Sequence, residues 1–165
     1  MGLDMYLSAR KRFEKVNWQA VRDNDELSYD SPEVINPLWK NLVDVADMSD
    51  VATDIYGASV EVTCAYWRKA NQIHKWFVDN VQGGNDNCGE YYVSQDKLEE
   101  LLALVNRALA ERNPTLLSPQ GGFFFGSTDI DEWYWQDLKN TKEKLERIFA
   151  LPQLSDLSFA YSSSW

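Results

Sequence analysis

Residues 66–81 read YWRKANQIHKWFVDNV, the densest mixture of aromatic, cationic and apolar side chains in the chain, and they contain its one histidine, His74. At the period of an α-helix, Tyr66, Ala70, Ile73, Phe77 and Val81 fall on one apolar stripe. Trp67, Asn71, His74 and Val78 run along one edge of it, and Arg68, Gln72, Lys75 and Asp79 lie further round. The spacing predicts a helix that buries one face and carries an indole, an amide and an imidazole in a row at the core boundary.

Working outward, residues 59–65 (SVEVTCA) alternate, with Val60, Val62 and Cys64 set against Ser59, Glu61 and Thr63, which predicts a strand leading into that helix. The glycines and asparagines of GGNDNCG (83–89) suit left-handed backbone and predict the helix stop. At the N-terminus, Leu3, Met5 and Leu7 alternate with Asp4, Tyr6 and Ser8, as on a half-buried strand. The run Arg10-Lys11-Arg12 with Lys15 then reads as a solvated turn or strand edge. Residues 16–58 form a loop-rich insertion on a single domain spanning 1–165. Within it, residues 23–33 read as exposed loop, and Leu38, Leu42, Val45 and Met48 at helical spacing predict a short helix over 37–48.

Downstream, EYYV (90–93) reads as a short strand. Ser94 then caps a helix with the apolar stripe Leu98, Leu101, Leu102, Val105, Ala108 and Leu109, which ends before Pro114. GGFFFGS (121–127) reads as a strand buried on both faces. Ser127 or Thr128 would cap a last helix, carrying Ile130, Tyr134, Leu138, Thr141, Leu145 and Ile148 on one stripe; Trp133 and Trp135 fall off it. The tail, 157–165, reads as a final strand with Trp165 pinned by packing. The expected fold class is α+β: a small mixed or antiparallel sheet of about five short strands with three main helices packed on it.

The chain has 165 residues and a net charge of −10, which disfavours binding to a nucleic-acid backbone and favours basic partners. Seven Trp fit an aromatic-lined site as well as a core built from large side chains. The two cysteines, Cys64 and Cys88, have no metal-type spacing and read as free thiols of a reducing compartment. No apolar run has the length of a signal peptide or a membrane span, so a cytoplasmic protein is expected. Tyr6 stands where a myristoylation signal needs Ser or Thr.

Three constellations bear on chemistry. Trp67, Asn71 and His74 with Arg68 and Lys75 suit stacking on a base and holding an anion, although a lone histidine at a core edge is also a common structural group. Gly121–Thr128 lacks the spacing and lysine of a phosphate loop, and capping is its better reading. Asp129, Asp131 and Glu132 suit a helix dipole better than Mg²⁺ or acid–base work. A Cys88–His74 nucleophile pair and a zinc site have still less support.

The blocks GLDMYL (2–7), YWRKANQIHKWFV (66–78), CGEYYVS (88–94), GGFFFGSTDIDEWY (121–134) and YSSSW (161–165) resemble a family of small uncharacterised bacteriophage and prophage proteins. Residues 16–58 lie outside the resemblance. It implies a phage or prophage origin and action in the host bacterial cytoplasm, and it carries over no catalytic residue.

The function expected from these readings is that of a non-enzymatic accessory protein for host takeover or counter-defence, without cofactor or metal. It would bind a small anionic, nucleotide-type ligand through Trp67, Arg68, Asn71, His74, Lys75, Trp76, Trp133 and Trp135. The alternative is an acidic inhibitor of a host defence protein, using the surface and the 16–58 insertion; a metal-dependent enzyme ranks third. Neither nucleic acid nor membrane is an expected partner, and a homo-oligomer is left open.

Overall fold

The computed structural model describes residues 2–29 and 31–165, with the backbone alone at residue 53. Among them the elements run β1 (Asp4–Glu14), α1 (Trp18–Asp23), α2 (Pro37–Val45), β2 (Gly57–Arg68), α3 (Asn71–Asn80), β3 (Tyr91–Val93), α4 (Gln95–Glu111), α5 (Glu132–Phe149) and β4 (Ser158–Ser164). The fold is α+β, with one antiparallel sheet in the order β2-β1-β4-β3. Four strands and five helices among the described residues replace the five and three expected.

The chain divides into two compact units, Met1–Ala9 with Val62–Trp165, and Arg10–Glu61. In the first, the alternation of β1 places Leu3, Met5 and Leu7 wholly inside. β3 pairs with β4 so that Tyr91, Tyr92 and Val93 oppose Tyr161, Ala160 and Phe159. Helices α4 and α5 add Leu98, Leu101, Val105, Leu138 and Leu145 to the same core. Ser94 caps α4 by accepting from Lys97 N at 3.3 Å, and Arg112 ends it in the left-handed region at φ 51°. Asp131, rather than Ser127 or Thr128, caps α5, accepting from Tyr134 N at 3.1 Å.

Two sequence expectations about residues 59–81 fail here. Residues 66–81 are not one helix: β2 continues through Arg68, and α3 starts at Asn71. Trp67 stays on the strand because its Nε1 donates to Thr141 Oγ1 on α5 at 2.9 Å, while Tyr66 donates to Asp4 across the sheet. Lys69, at φ 60°, turns the chain between strand and helix. Nor does β2 bury the face expected: residues 59–63 are exposed on both sides, and Cys64 is half-buried. Ala65 and Trp67 point inward, while Val60, Val62 and Tyr66 are exposed.

Residues 121–127 do not form a strand. Phe123 is 95% exposed and Phe125 is buried. Carbonyls that a strand would offer to a neighbour are taken by a side chain, Asn71.

The second unit has its own small core of Val34, Trp39 and Val43. Asn17 caps α1, and Asn36 caps α2 with Pro37 in the first turn. Arg10 pairs with Glu61 at 2.5 Å, and Lys15 N donates to Tyr56 O at 2.8 Å, so the basic run sits on paired strand and its end rather than on a free turn. Asn24, Asp25, Glu26 and Tyr29 are exposed, as expected for 23–33; Asp30 of that stretch lies outside the described residues.

Candidate functional site

Within the first unit, the end of β2, the start of α3, the 118–131 loop and the start of α5 enclose a cleft of about 340 Å³. Arg68 lines it from the end of β2 and Lys69 from the turn that follows. Gln72 lines it from α3, Asp129 and Asp131 from the loop, and Trp133 and Asp137 from α5. Trp133 and Asp137, four residues apart on one helix, share a face. The indole of Trp133 is exposed (77%) because the other side of α5 faces the core.

Asn71 holds the loop in place. Its Nδ2 donates to Phe125 O at 3.1 Å and to Ser127 O at 2.8 Å, and its Oδ1 accepts from Gln120 N at 3.2 Å. Leu3 N donates to Phe124 O at 3.0 Å. A segment without a ladder of its own thus has its backbone groups matched from outside. Gly126 adopts φ 88°, and a Cβ there would lie 3.3 Å from the Lys69 side chain, so loop and turn approach each other closely.

The cleft is electrostatically mixed. Arg68 Nη1 lies 3.2 Å from Asp4 Oδ1. Lys69 has no ion pair among the described residues. Burial pushes the Asp137 carboxyl up from its ordinary value; the Gln72 amide and the charge of Lys144 pull it down less strongly, and the charge of Asp131 adds to the rise. Burial likewise pushes the Lys144 ammonium down. Tyr134 is raised to about 12 by burial alone, and its hydroxyl donates to Leu117 O at 2.8 Å. Cations on one wall and carboxylates on the other suit a ligand that carries both an anionic group and hydrogen-bond donors.

The residues picked from sequence do not form one row. Arg68, Asn71 and Trp133 line the cleft, with the polar atoms of Asn71 committed to the loop. Trp67 is buried against α5. Lys75 pairs with Asp79 at 2.5 Å, and together with Trp76 it borders a different depression, of about 280 Å³. Trp135 is buried, with the Arg112 guanidinium 4.4 Å from its ring.

His74 is 0% exposed. Its Nδ1 lies 2.7 Å from Tyr161 Oη, and its Nε2 lies 3.0 Å from Asp86 Oδ2. A carboxylate at Nε2 places the proton there, so Nδ1 accepts from the tyrosine hydroxyl. Trp165 Nε1 donates to Asp86 Oδ1 at 3.1 Å. This chain ties α3, the 83–89 loop, β4 and Trp165 together, and both imidazole nitrogens are engaged in it. Burial, and then the charge of Asp86, raises Tyr161 far above the ordinary phenol value.

Lys69, Gln72 and Asp137 were missed from sequence. The i, i+4 relation of Asp137 to Trp133 off the core stripe was a usable signal. Nothing local announced that Lys69 would occupy a left-handed turn. Among the described residues, no group of three His, Cys, Asp or Glu side chains is placed to hold a metal ion, and no helix is long and apolar enough to cross a membrane. No family model, curated protein or solved structure matches the chain.

Proposed function

We propose that the chain is a non-enzymatic binding protein that captures a small nucleotide-type ligand in the cleft between β2, α3 and α5. The observation that carries this reading is Lys69, an ammonium without an ion pair among the described residues, held at φ 60° beside Arg68 in a cleft that Trp133 also lines. A non-glycine residue in that backbone region costs on the order of 1–3 kcal/mol and often marks a functional position. An aromatic base would stack on Trp133, its amino group would donate to Asp137 or Asp131, and one phosphate would sit on Lys69 and Arg68. The carboxylates disfavour a di- or triphosphate, whose extra charge they would repel. Binding rather than turnover is supported by the placement of the one imidazole, sealed in the core with both nitrogens engaged. The sequence resemblance adds the setting: a phage accessory protein acting on the host, for which removal of a nucleotide signal is a coherent role.

Titration calorimetry with the four ribonucleoside monophosphates, the matching nucleosides and ribose 5-phosphate tests this. At least one monophosphate should bind more tightly than its nucleoside and than the sugar phosphate. Lys69→Ala and Trp133→Ala should each weaken it at least tenfold, a loss of about 1.4 kcal/mol. If no monophosphate binds, or if both variants bind as wild type does, the reading is wrong.

A further inference from the structure

The second unit carries a feature that the cleft does not use. Of the stripe legible in its sequence, Leu38 and Val45 on α2 and Met48 just beyond it are exposed, and Leu42 is half-buried. Trp39 and Val43, one position further along, fill the unit's core instead. Val45 is 86% exposed and Leu38 is 55% exposed. Val51, in the turn that follows, extends the patch. Apolar side chains at i, i+4 and i+7 on an uncovered helix are the anchors of helix-in-groove recognition.

The charges around the patch narrow what can cover it. Asp44, Asp47, Asp50 and Asp54 flank it, and Lys40 is the one cation from residue 38 to residue 54. Lys40 is already paired with Asp44 at 3.2 Å. A second copy would bring the same aspartates face to face, and like charges set against each other across an interface cost affinity. An anionic bilayer is repelled by the same charges.

We propose that this stripe is a docking surface for a different protein, one that offers an apolar groove rimmed by Lys and Arg. The groove floor would receive Leu38, Leu42 and Val45, and the rim would meet the aspartates. Such rim charges chiefly accelerate association and fix orientation, so binding should weaken as salt rises.

The test uses the full chain, immobilised and exposed to bacterial lysate in parallel with Leu38→Asp/Val45→Asp and with Asp47→Asn/Asp50→Asn/Asp54→Asn. Circular dichroism checks each fold, and Val45→Ser serves as the milder stripe variant. A protein retained by wild type is purified and titrated against all four forms. Support requires a one-to-one complex that the double stripe variant weakens at least tenfold and Val45→Ser weakens measurably. The neutralised variant must also flatten the salt dependence of association. The proposal is overturned if no protein is lost selectively with the stripe, or if the neutralised variant keeps the wild-type salt dependence. Self-association abolished by the stripe variant, or co-sedimentation with phosphatidylglycerol vesicles, would also overturn it. Lys69→Ala should leave this binding unchanged, which separates the docking surface from the cleft.

Discussion

Asn71→Ala is the most informative single substitution, because one side chain holds an entire wall of the cleft. The change removes donors to Phe125 O and Ser127 O and the acceptor for Gln120 N, at 3.1, 2.8 and 3.2 Å. Each such bond contributes a net of about 0.5–1.5 kcal/mol, and the buried carbonyl of Phe125 is left without its partner, so the total loss is about 3 kcal/mol. For a chain of this length that lowers Tm by roughly 6–12 °C. Asn71→Asp should be no milder. It keeps the acceptor for Gln120 but points a carboxylate at two carbonyl oxygens. Denaturant titration gives the energy, and hydrogen exchange at Gln120 and Phe125 gives its location. Protection should fall first across 118–131 while α4 remains protected. If Asn71→Ala costs under about 0.5 kcal/mol, or if protection falls evenly over the chain, then Asn71 does not hold the loop.

Other consequences follow from the same geometry. His74→Ala strands the Tyr161 hydroxyl and opens a cavity at a site with 0% exposure, so denaturant titration should show a loss of about 3–5 kcal/mol. Stability should decline above about pH 9 through Cys64, raised by burial to about 11 from an ordinary 9.0, and above about pH 10 through Tyr134, raised to about 12. In both cases the unfolded chain loses its proton first, so each group draws away about 1.4 kcal/mol per pH unit between its two values. Tyr134→Phe should remove its share of the slope in denaturation curves taken from pH 8 to 12. A thiol-reactive reagent should modify exposed Cys88 quickly and half-buried Cys64, whose thiol donates to Leu7 O at 3.2 Å, more slowly.

Legibility differed between elements for physical reasons. Helix α4 was readable end to end because capping serine, apolar stripe and terminal Pro114 all lie in one continuous segment. The inward set Leu3, Met5 and Leu7 was readable because a strand's period is fixed by its own backbone. The boundary between β2 and α3 was not. Residues 66–68 fit a helical period, and partners far along the chain, the neighbouring strand together with Asp4 and Thr141, 62 and 74 positions away, keep them extended. The candidate site suffered in the same way. Arg68 and Trp133 were found from residue type, while Lys69 enters the cleft through a backbone turn that residue type does not announce.

The sequence by itself determined the α+β class, the apolar stripes of α4 and α5 and the acidic composition, since propensity, period and charge are properties of the local chain. Only the tertiary structure decided which faces were buried. Trp39 and Val43 displaced the more obvious stripe of α2, Ala65 and Trp67 displaced that of β2, and His74 was sealed between Tyr161 and Asp86 rather than offered to a ligand. A period states that a face exists. Which of two competing faces turns inward depends on the partners that the rest of the chain brings to it.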